Sequence, residues 1–213
     1  MKELRSKIKK NLKKRYPHDK IVSDGILDDG IYKKQKVKVM FLLKETYGGY
    51  VNIIGGQKIN NGKSVPFWPN IFNWTKLVND LEDSIIPKFL SKGQILEINK
   101  YVDNIAYVNI KKIEGNKKSN NSDIMKYAEK DRDILQCQID EINPDVIFIS
   151  DSKHYEKIYN LKNIDKTVCK EVKSGKCKFK LFKHNNRRII KIHHPSYLKN
   201  QKETFNSIVD LLN

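Results

Sequence analysis

At 213 residues, 38% of them hydrophobic, the chain has material for one well-packed core, and splitting it in two would leave each half little to bury. Its 42 Lys and Arg against 25 Asp and Glu give a formal charge of +17, a balance that points to a polyanionic partner, nucleic acid ahead of an anionic membrane surface. The apolar runs all fall short of the roughly 20 residues of a membrane-spanning helix, and the first fifteen residues lack the apolar centre of a secretory signal. Cys137, Cys169 and Cys177 make no C-x-x-C pair, so the expectation is a cytoplasmic, monomeric protein with reduced cysteines, no metal site and no cofactor.

In chain order, Leu4, Ile8 and Leu12 form one stripe of a basic N-terminal helix within residues 1–20, surrounded by Lys2, Arg5, Lys7, Lys9, Lys10, Lys13, Lys14 and Arg15. Lys36 to Leu43, KVKVMFLL, begins in alternation and ends continuously apolar, as a central strand does when both faces are covered. A long Gly-, Asn- and Lys-containing loop, Glu45 to Pro66, is of the length that carries function. The spacing of Ile71, Trp74, Leu77, Val78 and Leu81 predicts a helix over 70–81, and a shorter one is expected over 91–100.

NIAYVNI, Asn104 to Ile110, reads as a second buried strand. Asn121 or Ser122 then caps a helix presenting Ile124, Tyr127, Ala128, Leu135, Ile139 and Ile142, which Pro144 stops. VIFIS at 146–150 is a third strand, followed by a short helix over 153–159 and a two-stranded ribbon, 167–173 with 178–183, turning at Ser174-Gly175. RIIKIH, Arg188 to His193, is the last strand, and a final helix packs through Phe205, Ile208, Val209 and Leu212. Strands alternating with helices imply one domain over 1–213, a three-layer α/β/α sandwich around a mainly parallel sheet. In such sheets ligands bind beyond the carboxyl ends of the strands, which singles out 44–47, 109–112 and 193–196.

Those three ends carry chemistry. Glu45 supplies a carboxylate, and Asn109 an amide offering donor and acceptor to the pairing edge of a base. His193-His194-Pro195-Ser196 aims one imidazole at the cleft, since neighbours in extended chain point to opposite faces; by its place beside Pro195 that one is His194. Breaking a nucleoside bond with water develops a cationic sugar and an anionic base, which calls for a carboxylate near the first and a donor near the second. His154 and His184 are expected on the surface or the ribbon, without catalytic duty. No phosphate-binding Gly motif is present, because Gly48-Gly49 and Gly55-Gly56 lack the required continuation.

With these residues in place, the chain resembles the uracil-DNA glycosylase superfamily from about Val37 to the C-terminus. Leu43-Lys44-Glu45-Thr46-Tyr47 stands where the best-known branch has Gly-Gln-Asp-Pro-Tyr, keeping the acid and the aromatic but neither Gly nor Pro. Asn109 ends a buried strand as the family's base-reading Asn does, and His194-Pro195-Ser196-Tyr197-Leu198-Lys199 looks like its His-Pro-Ser-Pro-Leu-Ser. The resemblance implies a monofunctional DNA glycosylase in which Glu45 and His194 are catalytic and the target nucleotide is flipped out of the helix. Asn109 and Ser196 would bind the base, with Tyr47, Phe67 or Trp68 stacking on it. Lys44, Lys111, Lys112, Leu198 and Lys199 would meet DNA, Leu198 as the wedge, while Lys44 leaves open a lyase activity through a lysine nucleophile. Three scattered cysteines place the chain outside the iron-sulfur branches. Two alternatives stand beside this: a degenerate binding module of the same fold, and a defence enzyme acting on modified phage bases.

Overall fold

The computed structural model describes residues 2–46, 68–97, 104–197 and 199–213. Tyr47, Phe67, Leu198 and most of the 45–66 loop lie outside the described residues, as does the end of the helix expected to reach Lys100.

In chain order the elements are α1 (Lys2–Arg15), β1 (Gly25–Ile26), α2 (Asp29–Lys33), β2 (Val39–Leu43), α3 (Trp68–Glu82), α4 (Lys92–Glu97), β3 (Ile105–Asn109) and α5 (Asn121–Lys130). They continue with α6 (Arg132–Ile142), β4 (Val146–Ile149), α7 (Ser152–Tyr159), β5 (Val168–Ser174), β6 (Cys177–His184), β7 (Arg187–Lys191) and α8 (Gln201–Leu212). The strands form one sheet in the order β1-β3-β2-β4-β7-β6-β5. Its four central strands are parallel, with registers Leu43↔Asn109, Leu42↔Ile149 and Ile149↔Lys191, while both edges are antiparallel. The expected two-stranded ribbon extends the sheet at one edge: Leu181 of β6 pairs with Ile190 of β7.

Every residue of β2, β3 and β4 is buried, which is why these strands show little polar alternation in sequence. Successive side chains serve two different cores. Val39, Phe41 and Leu43 meet Trp74 and Leu77 of α3 and Phe205 and Ile208 of α8. Met40 and Leu42 meet Ile124 of α5, Leu135 and Ile139 of α6, and Tyr155 and Ile158 of α7. Helices thus cover both faces of the sheet. In α8 Leu211 is buried along with Phe205 and Ile208, and the expected Val209 and Leu212 are only partly covered.

The single helix expected over 121–142 is two. Asp131 interrupts it because its carboxylate turns inward to α1, lying 2.8 Å from Arg15 and accepting the Tyr16 hydroxyl at 2.9 Å. The cap of α5 is Asn120, not Asn121 or Ser122, and its side chain accepts the Ser122 N–H. Asn143 closes α6 in the left-handed region that Asn tolerates, just before Pro144. Below α1, Leu12 and Tyr16 pack with Ile113 and Ile134, and Ile8 joins them in part; the Leu4 side chain lies outside the description.

Candidate functional site

Because β3, β2, β4 and β7 run parallel, their carboxyl ends share one edge. The pairing of the first two chains continues beyond the strands: Ile110 donates to the Leu43 carbonyl, Lys111 to Lys44 and Gly115 to Thr46. Ile192 likewise donates to Ile149. At an inter-strand spacing of about 4.8 Å, the ends of β2 and β7 stand roughly 10 Å apart with β4 between them.

Glu45 is held from the β3 side. Its side chain is only 3% exposed, and its Oε2 lies 3.4 Å from Lys111 Nζ and accepts the Asn116 N–H at 3.3 Å. Gly115 passes so close that a Cβ there would collide with this carboxylate. Burial pushes the Lys111 ammonium toward the neutral form, but its hydrogen bond to Asp123 and the charge of Glu45 outweigh this and leave its pKa raised. Lys111 is thus a buried bridge between two carboxylates, at 3.4 and 3.3 Å, rather than the DNA-facing cation expected of it.

Asn109 is 2% exposed, and its orientation is fixed by a residue of the N-terminal region. Asp24 Oδ2 accepts both its backbone N–H at 2.6 Å and its side-chain Nδ2 at 3.3 Å. Committing one amide hydrogen to Asp24 leaves Oδ1 and the other hydrogen for a ligand. Asp24 is neutralised in turn by Lys112, whose Nζ lies 3.0 Å from Oδ1 and 2.6 Å from Gln138 Oε1. Lys112 is 0% exposed, so it too is a core ion pair and not a phosphate contact. Burial lowers its pKa, with Asp24 opposing.

The half-buried His194 has a definite tautomer. The Ser196 N–H donates to Nδ1 at 3.2 Å and the Ser196 hydroxyl approaches the same atom at 2.8 Å, so in the neutral ring the proton sits on Nε2, as an outward donor. Burial, and secondarily the charge of Lys44, push its pKa down, favouring that neutral ring. The hydroxyl of Ser196, a residue expected to touch substrate, faces His194. The turn is strapped to α3 by Asn70, whose Nδ2 donates to the Pro195 carbonyl at 2.6 Å and to Tyr197 at 3.1 Å. His193 points elsewhere, with its ring packed between Phe179 and Tyr197.

Two further groups occupy this edge. Lys44 Nζ donates to Asn121 Oδ1 at 2.7 Å. His154, expected on the surface, is 2% exposed in the first turn of α7, and its Nε2 is buried without a hydrogen-bond partner among the described residues. Its pKa falls to about 4 through burial, with Asp151 opposing and Lys44 adding to the fall. Trp68 is buried in the core with Phe41 and Trp74, which leaves it no face for a base, while Lys199 is exposed at the start of the final helix region. Between Leu43, Ser150, His193 and Pro195 the described residues leave a cleft with about 10 Å³ of room. That is space for about one water molecule, on the side of the edge lined by Phe41, Trp74 and Phe148 and not by Glu45, Asn109 or His194.

Among the described residues no helix is long and apolar enough to cross a membrane, and no cluster of three potential ligands could hold a metal ion. No known family model and no curated protein sequence matches the chain.

Proposed function

We propose that the chain is a DNA glycosylase of the uracil-DNA glycosylase type, hydrolysing the bond between deoxyribose and an extruded uracil, mismatched or modified base. The observation that carries this reading is the gathering of Glu45, Asn109 and a His194 with its proton on Nε2 at one end of four parallel strands. Each group has a part in that reaction. His194 Nε2–H meets the negative charge that grows on the departing base. Asn109, pinned by Asp24, presents a fixed acceptor and donor to the base edge. Glu45 keeps lone pairs beyond those taken by Lys111 and Asn116 for a water or the sugar cation. The charge of +17 suits a DNA partner, with the protein acting as a monomer and without cofactor.

The test is release of free base from single- and double-stranded oligonucleotides carrying uracil, thymine mismatches, hypoxanthine or modified cytosines. Release of any one supports the reading, and a response confined to modified bases assigns it to defence rather than repair. Silence across the panel from folded protein rejects catalysis.

One observation favours a second reading, a binding module that grips DNA without cutting it: the Glu45 side chain is enclosed, 3% exposed and paired with Lys111. Glu45→Gln separates the two. An enzyme loses roughly 100-fold in rate with DNA affinity retained, whereas a binding module loses nothing.

A further inference from the structure

Three lysines, Lys44, Lys111 and Lys112, follow the ends of β2 and β3, and the structure treats them differently. A lysine that attacks a carbonyl must reach the substrate and must spend part of its time as a free amine, so a carboxylate partner, which holds the ammonium protonated, is what it has to lack. Lys111 fails on the second count, lying 3.4 Å from Glu45 and 3.3 Å from Asp123. Lys112 fails on the first, being 0% exposed and closed in by Asp24 and Gln138. Lys44 fails on neither. It is half-buried at the mouth of the edge, no carboxylate lies within 4.0 Å of its Nζ among the described residues, and the oxygen that orients it, Asn121 Oδ1 at 2.7 Å, is neutral. Lys44 directly follows β2, and its carbonyl accepts the Lys111 N–H at 3.0 Å, which sets its backbone at the shared strand-end edge.

We infer that Lys44 is a nucleophile toward abasic deoxyribose, giving this site an abasic-site lyase activity in addition to base release. The inference rests on the reading of this edge as a DNA site. The neutral Lys44 Nζ adds to C1′ of the ring-opened sugar aldehyde, forming a C–N bond, and the resulting carbinolamine loses water to give an iminium. The C2′ proton then passes to solvent, its electron pair forms the C2′=C3′ bond, and the C3′–O bond breaks to release the 3′ phosphate. Water hydrolyses the remaining iminium and returns the free amine. No oxidant or reductant takes part.

The experiment incubates the full chain with a duplex carrying a pre-formed abasic site and adds sodium borohydride, whose hydride reduces the iminium to a stable amine. The expected result is a covalent protein–DNA adduct, mapped to Lys44 by peptide mass spectrometry. Lys44→Arg, which keeps the positive charge but cannot form the imine, should lose at least 10-fold in adduct at protein concentrations that saturate the duplex for both proteins. Absence of adduct from the wild-type protein, or adduct at the wild-type level from Lys44→Arg, overturns the inference. Because abasic DNA has no base to release, the outcome is separate from that of the base-release panel. Base release without adduct removes only the lyase, and adduct without base release removes only the glycosylase.

Discussion

A histidine's usefulness depends on which nitrogen carries its proton, and at His194 that is decided by Ser196. The backbone N–H of Ser196 makes Nδ1 an acceptor at 3.2 Å, and the hydroxyl reinforces it at 2.8 Å. Ser196→Ala should therefore lower base release by about 10-fold, less than the roughly 100-fold expected of His194→Gln, and should move the acidic limb of the pH–rate profile. Equal losses in the two variants, with an unmoved profile, would make Ser196 a direct substrate contact instead.

His154 offers a residue-scale test of burial. Its folded pKa of about 4 is depressed from the ordinary 6.5, so between these values the unfolded chain binds the proton more readily. The stabilisation is complete above pH 6.5 and disappears as pH falls toward 4, in total up to about 3 kcal/mol. Denaturant unfolding from pH 7 to 4 should show a shallower decline for His154→Leu than for the wild-type protein. Parallel declines would mean that the ring is solvated.

Among the elements, the short β1 has more influence than its two residues suggest, because the Asp24 before it fastens β3, α6 and the Asn109 amide together. Asp24→Ala leaves Lys112 buried without its counter-ion and should destabilise the fold by roughly 3–5 kcal/mol. Replacing both by apolar residues, Asp24→Leu with Lys112→Met, should restore much of this stability while leaving Asn109 free to turn. Chemical denaturation of the three proteins checks it, and a double variant no more stable than the single one would contradict it. This element also marks where sequence reading stops. The fully buried β2, β3 and β4 were legible because a strand covered on both faces is a continuous apolar run, and the place of Asn109 at the end of β3 was legible for the same reason. Asp24 was not, since it lies 85 residues from Asn109, and nothing in SDGI signals an anchor for a distant strand. Asn70 was missed for the same reason, 125 residues from Pro195. His154 was misjudged because a polar residue among Lys153, Tyr155 and Glu156 looks solvated until α7 is seen packed on the sheet.

Over the whole molecule, the positive charge is spread and not confined to the candidate site. Exposed lysines line α1 (Lys7, Lys9, Lys10, Lys13 and Lys14) and the β5–β6 ribbon (Lys170, Lys173, Lys176 and Lys178), while Lys111 and Lys112 are withdrawn into ion pairs. DNA affinity should therefore fall steeply with salt, by about 10³-fold between 50 and 200 mM if about six phosphates are contacted. Fluorescence anisotropy with a labelled duplex measures this, and an affinity indifferent to salt would exclude a backbone-contacting role for that surface. The same arrangement separates gripping from chemistry: neutralising α1 lysines should weaken binding without changing the rate at saturating protein.

The central claim is that Glu45, just after β2, and His194, just after β7, act on one nucleotide. The measurement that tests it most directly is the single-turnover rate of base release for the wild-type protein, Glu45→Gln, His194→Gln and the double variant. If both groups serve one transition state, each single change slows release by roughly 100-fold and the double loss falls well short of the product of the two. Losses that multiply in full, or single variants as fast as the wild-type protein, would contradict a shared site.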